Sequence, residues 1–320
     1  KCAMENMVTI DKNFWANKKI LITGNNGFKG SWLTLWLTKY GSKVYGVSLP
    51  PKKDNSLFLD LNLETDLTKN FTCNIQDSKQ IKKIIEEVNP DIVFHLAAQP
   101  LVRLSYLDPL ETWQTNVNGT LNILEGLKNI NKKVGVVIIT TDKVYKNNNW
   151  VYGYRETDQL GGHDPYSASK AASEIAVSSW RSSFCGTGSN QTKYLSIATA
   201  RAGNVVGGGD WAEDRLVPDI VRSLLSSKKI IIRNPNSIRP WQHVLEPLFG
   251  YLILAKKLYE IPINQEEFSA NHFKISSAFN FGPNFTSNKT VREVVEECLL
   301  HWEGEWTTED IDDLRHEAEK

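Results

Sequence analysis

Lys19-Ile20-Leu21-Ile22-Thr23-Gly24-Asn25-Asn26-Gly27-Phe28-Lys29-Gly30 decides the fold. An apolar run ends in glycines spaced G-x-x-G-x-x-G, and a helical pattern follows from Ser31. A short continuous apolar run reads as a strand buried on both faces. Glycine lets the next turn be tight and lets backbone approach a pyrophosphate, whose charge the amino end of the following helix stabilises. Strand, loop and helix in that order predict a dinucleotide site; the plain alternative is an ordinary strand-to-helix turn.

Outward from this unit, apolar runs at 44–48, 91–98, 135–141 and 194–202 read as strands. Helical patterns at 31–40, 78–88, 110–130 and 165–184 alternate with them. The alternation predicts an α/β fold, a doubly wound parallel sheet of Rossmann type. After Asn204 the pattern loosens into short segments rich in Gly, Pro, Arg and Trp. This stretch reads as a smaller, interleaved substrate-binding lobe at the carboxyl edge, where such sheets bind ligands. The division expected is 13–203 for the dinucleotide, with segments 240–260 and 278–283 returning to it, 204–239 and 284–320 for the substrate, and 1–12 as a leader.

At 320 residues the chain can bury a large core, and its 37 Lys plus Arg balance 37 Asp plus Glu. That balance gives no field for nucleic acid or an anionic membrane. Cys2, Cys73, Cys185 and Cys298 are widely separated, with no C-x-x-C pair, which argues against a metal site and a disulfide framework. No apolar run is long enough to cross a bilayer, and the first residues lack the apolar core of a signal peptide. A cytoplasmic protein without metal, membrane or nucleic-acid partners is expected.

The acid that usually holds a ribose at the end of the second strand is replaced by Ser48-Leu49-Pro50. Lys52 and Lys53 either attract the extra phosphate of NADP or form a solvated loop, and Asn74-Ile75 is positioned for an adenine edge. Chemistry enters with Thr140-Thr141-Asp142-Lys143 and Tyr166-Ser167-Ala168-Ser169-Lys170. Tyr166 and Lys170 share one helix face, with Asp164 and Pro165 suited to the N-cap and first helical position. Cationic Lys170 and an oxidised nicotinamide would favour phenolate at Tyr166, ready to take a hydroxyl proton as hydride leaves, while Thr141 bonds the same hydroxyl. Hydride transfer does not need Asp142 and Lys143, and their presence points to elimination of water; the bland reading is a surface turn.

These features resemble the extended short-chain dehydrogenase/reductase family over nearly the whole chain. Within it, Thr141-Asp142-Lys143 is similar to the Thr-Asp-Lys form of nucleotide-sugar 4,6-dehydratases. The stretches Gly27-Phe28-Lys29-Gly30-Ser31-Trp32, 97–103 (AAQPLVR), 201–211 (RAGNVVGGGDW) and 238–247 (IRPWQHVLEP) look like the subgroup acting on CDP-glucose. The resemblance implies a lyase using NAD as a recycled cofactor on CDP-glucose, in a homodimer or homotetramer. It assigns Thr141, Asp142, Lys143, Tyr166 and Lys170 to catalysis. Gly24, Asn26, Gly27, Phe28, Lys29, Gly30, Asn74, Ile75, Leu96, Ala97 and Ala98, with Tyr166 and Lys170, fall to the cofactor. Gln99, Arg103, Asn204, Arg215, Leu216, Arg239, His243 and Asn284 fall to the substrate; Arg215 and Arg239 suit its pyrophosphate. Asp142 is implied to protonate a departing 6-hydroxyl, and Lys143 to remove or hold the carbon 5 proton. Asn74 stands where an aspartate is usual, and the chain ends at Lys320 where relatives continue, implying an absent terminal segment. Rival readings are a UDP-N-acetylglucosamine or dTDP-glucose 4,6-dehydratase, and a dinucleotide-binding protein without catalysis.

Overall fold

The apolar runs do become strands, and their order in the sheet is what places the loops. A computed structural model describes residues 10–51, 56–189, 191–192, 194–263, 272 and 274–308. Lys52, Lys53, most of the expected leader and the chain end lie outside the described residues. The central strands are β1 (Lys19–Thr23), β2 (Lys43–Ser48), β3 (Lys69–Thr72), β4 (Ile92–His95), β5 (Val134–Ile139) and β6 (Leu195–Ala202). Short strands follow: β7 (Val205–Val206), β8 (Ile230–Ile232), β9 (Ile238–Pro240) and β10 (Gln242–His243). Next come β11 (Ala278–Phe281), β12 (Asn288–Thr290) and β13 (Trp306–Thr308). Seven of them form one sheet in the order β11-β6-β5-β4-β1-β2-β3, and every pairing in it is parallel. This is the doubly wound α/β arrangement, with the order reversing between β1 and β4.

Helices cover both faces. On one lie α1 (Lys12–Trp15), α2 (Phe28–Lys39) and, later in the chain, α10 (Leu245–Glu260), sharing a core with Trp15, Leu33, Leu37, Leu248 and Tyr251. The other face carries α4 (Ser78–Val88), α7 (Gly119–Leu127) and α8 (Pro165–Phe184), which bury Ile81, Ile85, Ile123, Leu127 and Val177. The short helices are α3 (Leu57–Asp60), α5 (Val102–Leu107) and α6 (Pro109–Trp113). A small third core joins α9 (Leu216–Leu225), β8 and α11 (Val291–His301) through Ile220, Leu224, Ile230 and Val295.

The structure departs from the periodicity in two places. The continuous helix expected over 110–130 is α6, one π turn at Gln114–Asn118 and α7. The extra residue of a π turn rotates one side chain out of register. Here Asn116, 1 % exposed, is tied to the Gln99 backbone at 2.8 and 3.1 Å and to Ser169 Oγ at 2.9 Å. The runs expected to reach 98 and 141 end as strands at His95 and Ile139, so Leu96–Ala98 and Thr141 emerge as loop on the carboxyl edge.

Beneath that edge lies a buried ion pair. Glu174 of α8 and Arg201 of β6, 2 % and 4 % exposed at the side chain, meet at 2.9 Å. Glu174 also accepts from Thr140 Oγ1 at 2.5 Å and Thr199 Oγ1 at 2.7 Å. Arg201 donates to Tyr145 Oη at 2.8 Å, and Tyr145 donates to Asn280 of β11 at 2.6 Å. Removing one member of a buried pair strands the other charge. Arg201→Met is therefore expected to cost about 3–5 kcal/mol of unfolding free energy in urea, and Arg201→Met with Glu174→Gln distinctly less. A single variant no worse than the double would show the pair to be uncoupled.

Candidate active site

The glycine loop is built as a cradle. Gly24 has φ +71° and its N–H donates to Val47 O at 2.7 Å; a Cβ there would lie 2.7 Å from Ala97 N. A Cβ on Gly30 would run into Gly24 O, so the first turn of α2 packs directly on the loop. Gly27 is the N-cap of α2 and exposed; a Cβ on it would meet only Gly24 O, at 3.4 Å. The free amide end of a twelve-residue helix thus faces an open surface closed on its other sides, which fits a dinucleotide pyrophosphate. Asn26 Nδ2 is held by Leu49 O at 2.7 Å, tying the loop to the end of β2. Phe28 packs beside the core of this face. Asn74 is exposed with its Oδ1 capping Gln76 N at 3.0 Å, whereas Ile75 is 4 % exposed and packs in the core beneath α7.

On the facing wall, α8 starts where the sequence indicates. Asp164 caps Ser167 N at 2.9 Å, Pro165 is the first helical residue, and Tyr166 N donates to Ser105 Oγ at 3.1 Å. Tyr166 and Lys170 are both buried on the sheet-facing side, and Lys170 Nζ donates to Ile139 O at 3.2 Å. Thr141 caps a single 3-10 turn at Asp142–Val144, and its Oγ1 lies 3.1 Å from Asp142 Oδ1 and accepts from Lys143 N at 3.3 Å. The Thr141 side chain also bears on the Tyr166 phenol, so the two lie close together. The Asp142 carboxylate rests against Gly203, where a Cβ would sit 2.7 Å from Oδ2. The start of α8, with Tyr166 and Lys170, thus adjoins the loop after β5 that carries Thr141 and Asp142.

Burial dominates the charge states of these groups. Burial pushes the Tyr166 phenol up to about 12, against a downward pull from Thr141. Burial and the nearby Lys29 bring Lys170 down to about 8. Lys29 itself falls to about 8 through burial and Arg215, opposed by Asp142 and Asp210. Its amine sits 5.9 Å from the Tyr251 ring centroid, so it is turned toward the catalytic group.

The residues assigned to substrate are gathered less completely. Gln99 spends its amide on Leu101 O, Leu101 N and Thr112 Oγ1 at 2.6–3.0 Å, shaping its own turn instead of facing a hexose. Leu216 packs against the third core, its side chain committed there. Arg103 pairs with Asp214 at 2.8 Å and Arg215 with Asp210 at 2.8 Å. Arg239 Nη1 donates to Ile238 O at 2.8 Å. Asn204 accepts Gln242 N through its carbonyl at 3.3 Å, as Asn284 does Ser287 N at 2.9 Å. His243 is exposed, with its ring 6.4 Å from that of Trp32.

Sequence reading missed three contributors. Asn116 reaches the site only through the π turn, which side-chain periodicity does not announce. Tyr251, fully buried on α10 with an unpartnered hydroxyl, is disguised by an apolar stretch although it lies near Tyr166 and Asp142. Asp210, the partner of Arg215, sat inside a quoted motif. Among the described residues no group of three or more His, Cys, Asp or Glu could hold a metal ion, and no helix is long and apolar enough to cross a membrane.

A family profile described as GDP-mannose 4,6 dehydratase matches residues 21–295. The chain is 47 % identical over 311 residues to a CDP-glucose 4,6-dehydratase of Salmonella typhimurium, spanning 97 % of this chain and 83 % of that one. The dTDP-glucose 4,6-dehydratase of Bacillus anthracis, solved in complex with NAD, superposes with TM-score 0.71 at 21 % identity over 92 % of this chain and 85 % of that one. The UDP-glucose 4-epimerase of Thermus thermophilus, also an NAD complex, gives 0.73 at 22 % over 92 % and 88 %. At such identities the two structures bear on the fold alone.

Lys29 gives this site a pH signature. Its amine titrates near 8 folded and near 10.5 unfolded, so the folded chain binds fewer protons between those values and stability rises with pH across that window. Lys29→Met should remove its share of the rise and, discounted for partial exposure, add about 1–2 kcal/mol to urea stability of the cofactor-free protein near neutrality. A less stable Lys29→Met protein would contradict this placement of the charge.

Proposed function

The chain belongs to the GDP-mannose 4,6 dehydratase family, and from that premise we propose that it converts CDP-glucose to CDP-4-dehydro-6-deoxyglucose and water, with NAD as resident cofactor. One observation carries the reading: the Thr141 hydroxyl, which donates to Asp142 Oδ1 at 3.1 Å, also bears on the buried Tyr166 phenol, so the expected oxidation pair and elimination acid face one sugar. The choice of CDP-glucose rests on the 47 % identity to a CDP-glucose enzyme across 97 % of the chain.

Gly24, Gly27, Gly30 and the amino end of α2 hold the dinucleotide, with Leu96–Ala98 along its flank. NAD held there would supply a hydride acceptor for carbon 4 and, once reduced, a hydride donor for carbon 6. Tyr166 and Thr141 take the proton of the 4-hydroxyl. The 4-ketone acidifies the carbon 5 proton, which Lys143 removes in its neutral form and later restores, while Asp142 protonates the departing 6-hydroxyl. Arg215 and Arg239 take the substrate pyrophosphate, Arg215 held in place by Asp210. Asn204, His243 and Asn284 border the nucleotide, and Arg103 reaches over from the first lobe.

We place the protein in the cytoplasm, a setting that suits its free thiols Cys73, Cys185 and Cys298. We also assign it a homodimer or homotetramer built on α5, α6 and α8, which carry the exposed apolar side chains Leu107, Leu110 and Ile175, 70 %, 74 % and 60 % exposed.

Incubation with NAD and, separately, CDP-glucose, dTDP-glucose and UDP-N-acetylglucosamine should give loss of one water by mass spectrometry from CDP-glucose alone. Loss from another donor would overturn the substrate, and loss from none would overturn catalysis. In deuterated solvent, Lys143→Met should no longer exchange the carbon 5 proton; unaltered exchange would remove Lys143 as the base.

A further inference from the structure

We infer that His95, which lies outside the catalytic set, is a positioning residue: its imidazole, held in one tautomer, ties the end of β1 beneath the cofactor loop to the helix that carries Tyr166. The inference rests on the dehydratase reading, which gives Tyr166 its redox role, and deepens it.

Thr23 and His95 are the last residues of β1 and β4 and are register partners across that parallel pair, where the strand order reverses. In sheets of this kind the dinucleotide binds just beyond that point. Thr23 Oγ1 lies 2.7 Å from His95 Nδ1 and accepts from Ala97 N at 3.2 Å. His95 Nε2 lies 3.0 Å from Thr120 Oγ1, which donates to Asn116 O in the π turn at 2.7 Å. Thr23, His95, Thr120 and Asn116 are at most 2 % exposed. Their hydrogens fit in one arrangement. The Thr120 proton is spent on Asn116 O, so His95 Nε2 must carry a hydrogen and donate. The Thr23 oxygen receives the Ala97 amide, and its own proton goes to a bare Nδ1. The other tautomer would leave the Thr23 proton facing an N–H in a dry interior. A doubly protonated ring would do the same, and burial, reinforced by the Lys170 ammonium, brings His95 down to about 3.

The hydrogen-bonded chain has two functional ends. One lies under the cofactor loop: a Cβ on Gly24 would sit 2.7 Å from Ala97 N, the same amide that bonds Thr23, so the loop rests on this bond. The other enters α8. Asn116 O takes the Ser173 hydroxyl at 2.8 Å, and Asn116 Nδ2 bonds Ser169 Oγ at 2.9 Å, which in turn donates to Tyr166 O at 2.7 Å. His95 thus connects the surface that holds the dinucleotide with the first turn of the helix that holds the phenol. The redox step depends on that connection. Hydride and proton leave the same H–C–O–H unit, so the phenol must stand in register with the dinucleotide, and a misplacement of about 1 Å costs about 10²-fold in rate. Glu174 anchors α8 to β5 and β6; His95 anchors it to β1 and β4.

The two ends can be cut separately. His95→Gln sets an amide near the place of Nε2, keeping a donor for Thr120 while leaving Thr23 without its acceptor. His95→Asn sets a carbonyl near the place of Nδ1 and does the reverse. His95→Gln should weaken NAD binding to the cofactor-free protein about tenfold, the scale of one buried hydrogen bond, with kcat at saturating NAD within about twofold of wild type. His95→Asn should hold NAD affinity within about twofold and lower kcat on CDP-glucose about tenfold. Equal losses of affinity and rate in both variants, as a packing residue would give, or no loss in either, would overturn the positioning role. Heteronuclear NMR of the isotope-labelled wild type without cofactor, with His95 assigned through its own backbone, tests the tautomer without turnover. A protonated Nε2 and a bare Nδ1, unchanged from about pH 6 to about pH 9, are expected. A protonated Nδ1, or titration within that range, would overturn the inference. A wild-type protein that binds NAD yet releases no water from any sugar nucleotide would instead overturn the dehydratase reading, and the tautomer and the NAD affinity of His95→Gln would still decide the role of His95.

Discussion

The buried Glu174–Arg201 pair is the constraint on which the site depends. Glu174 follows Tyr166 and Lys170 at four-residue steps on α8, so all three project from one helix face. Its carboxylate accepts from Thr140 at the end of β5 and from Thr199 and Arg201 of β6. A charge this deep is tolerable only when its oxygens are satisfied, and the geometry satisfying them admits one register of α8 against the two strands. Thr141, one residue beyond Thr140, is thereby brought to the hydroxyl of Tyr166, two turns earlier on the helix. The pair contributes position more than stability.

Around that fixed point the site balances charges. Lys29, Lys170 and Arg215 surround the catalytic strand end, with Asp142 and Asp210 among them. Burial weakens both amines; Lys29 makes the Lys170 proton harder to hold, and Arg215 that of Lys29. The arginines are paired with carboxylates: Arg215 is held by Asp210, and Arg103 and Arg233 by Asp214, at 2.8, 2.8 and 3.4 Å. Such pairs fix the orientation of the guanidinium groups.

Much of this was legible because local chemistry and global fold agree there. The 19–30 stretch encodes a buried strand, a turn only glycine can make, and a helix amino end, and each reinforces the others. Asp164 and Pro165 fix the start of α8, and with it the facing of Tyr166 and Lys170. What stayed hidden depends on tertiary choices. A π turn leaves no mark in hydrophobic spacing, so Asn116 was absorbed into a single long helix. Gln99 and Leu216 matched motif positions, yet the first is consumed by its own turn and the second by a small core. Lys29 sits in a phosphate-binding loop but turns its amine to the sugar side.

The central claim is that oxidation and elimination are joined on one sugar, with the hydride kept inside the site. CDP-glucose carrying deuterium on carbon 4 tests it most directly. The account predicts a product that has lost water and carries the deuterium on carbon 6, within the same molecule. Deuterium lost to solvent, or a carbon 6 hydrogen drawn from solvent, would contradict it.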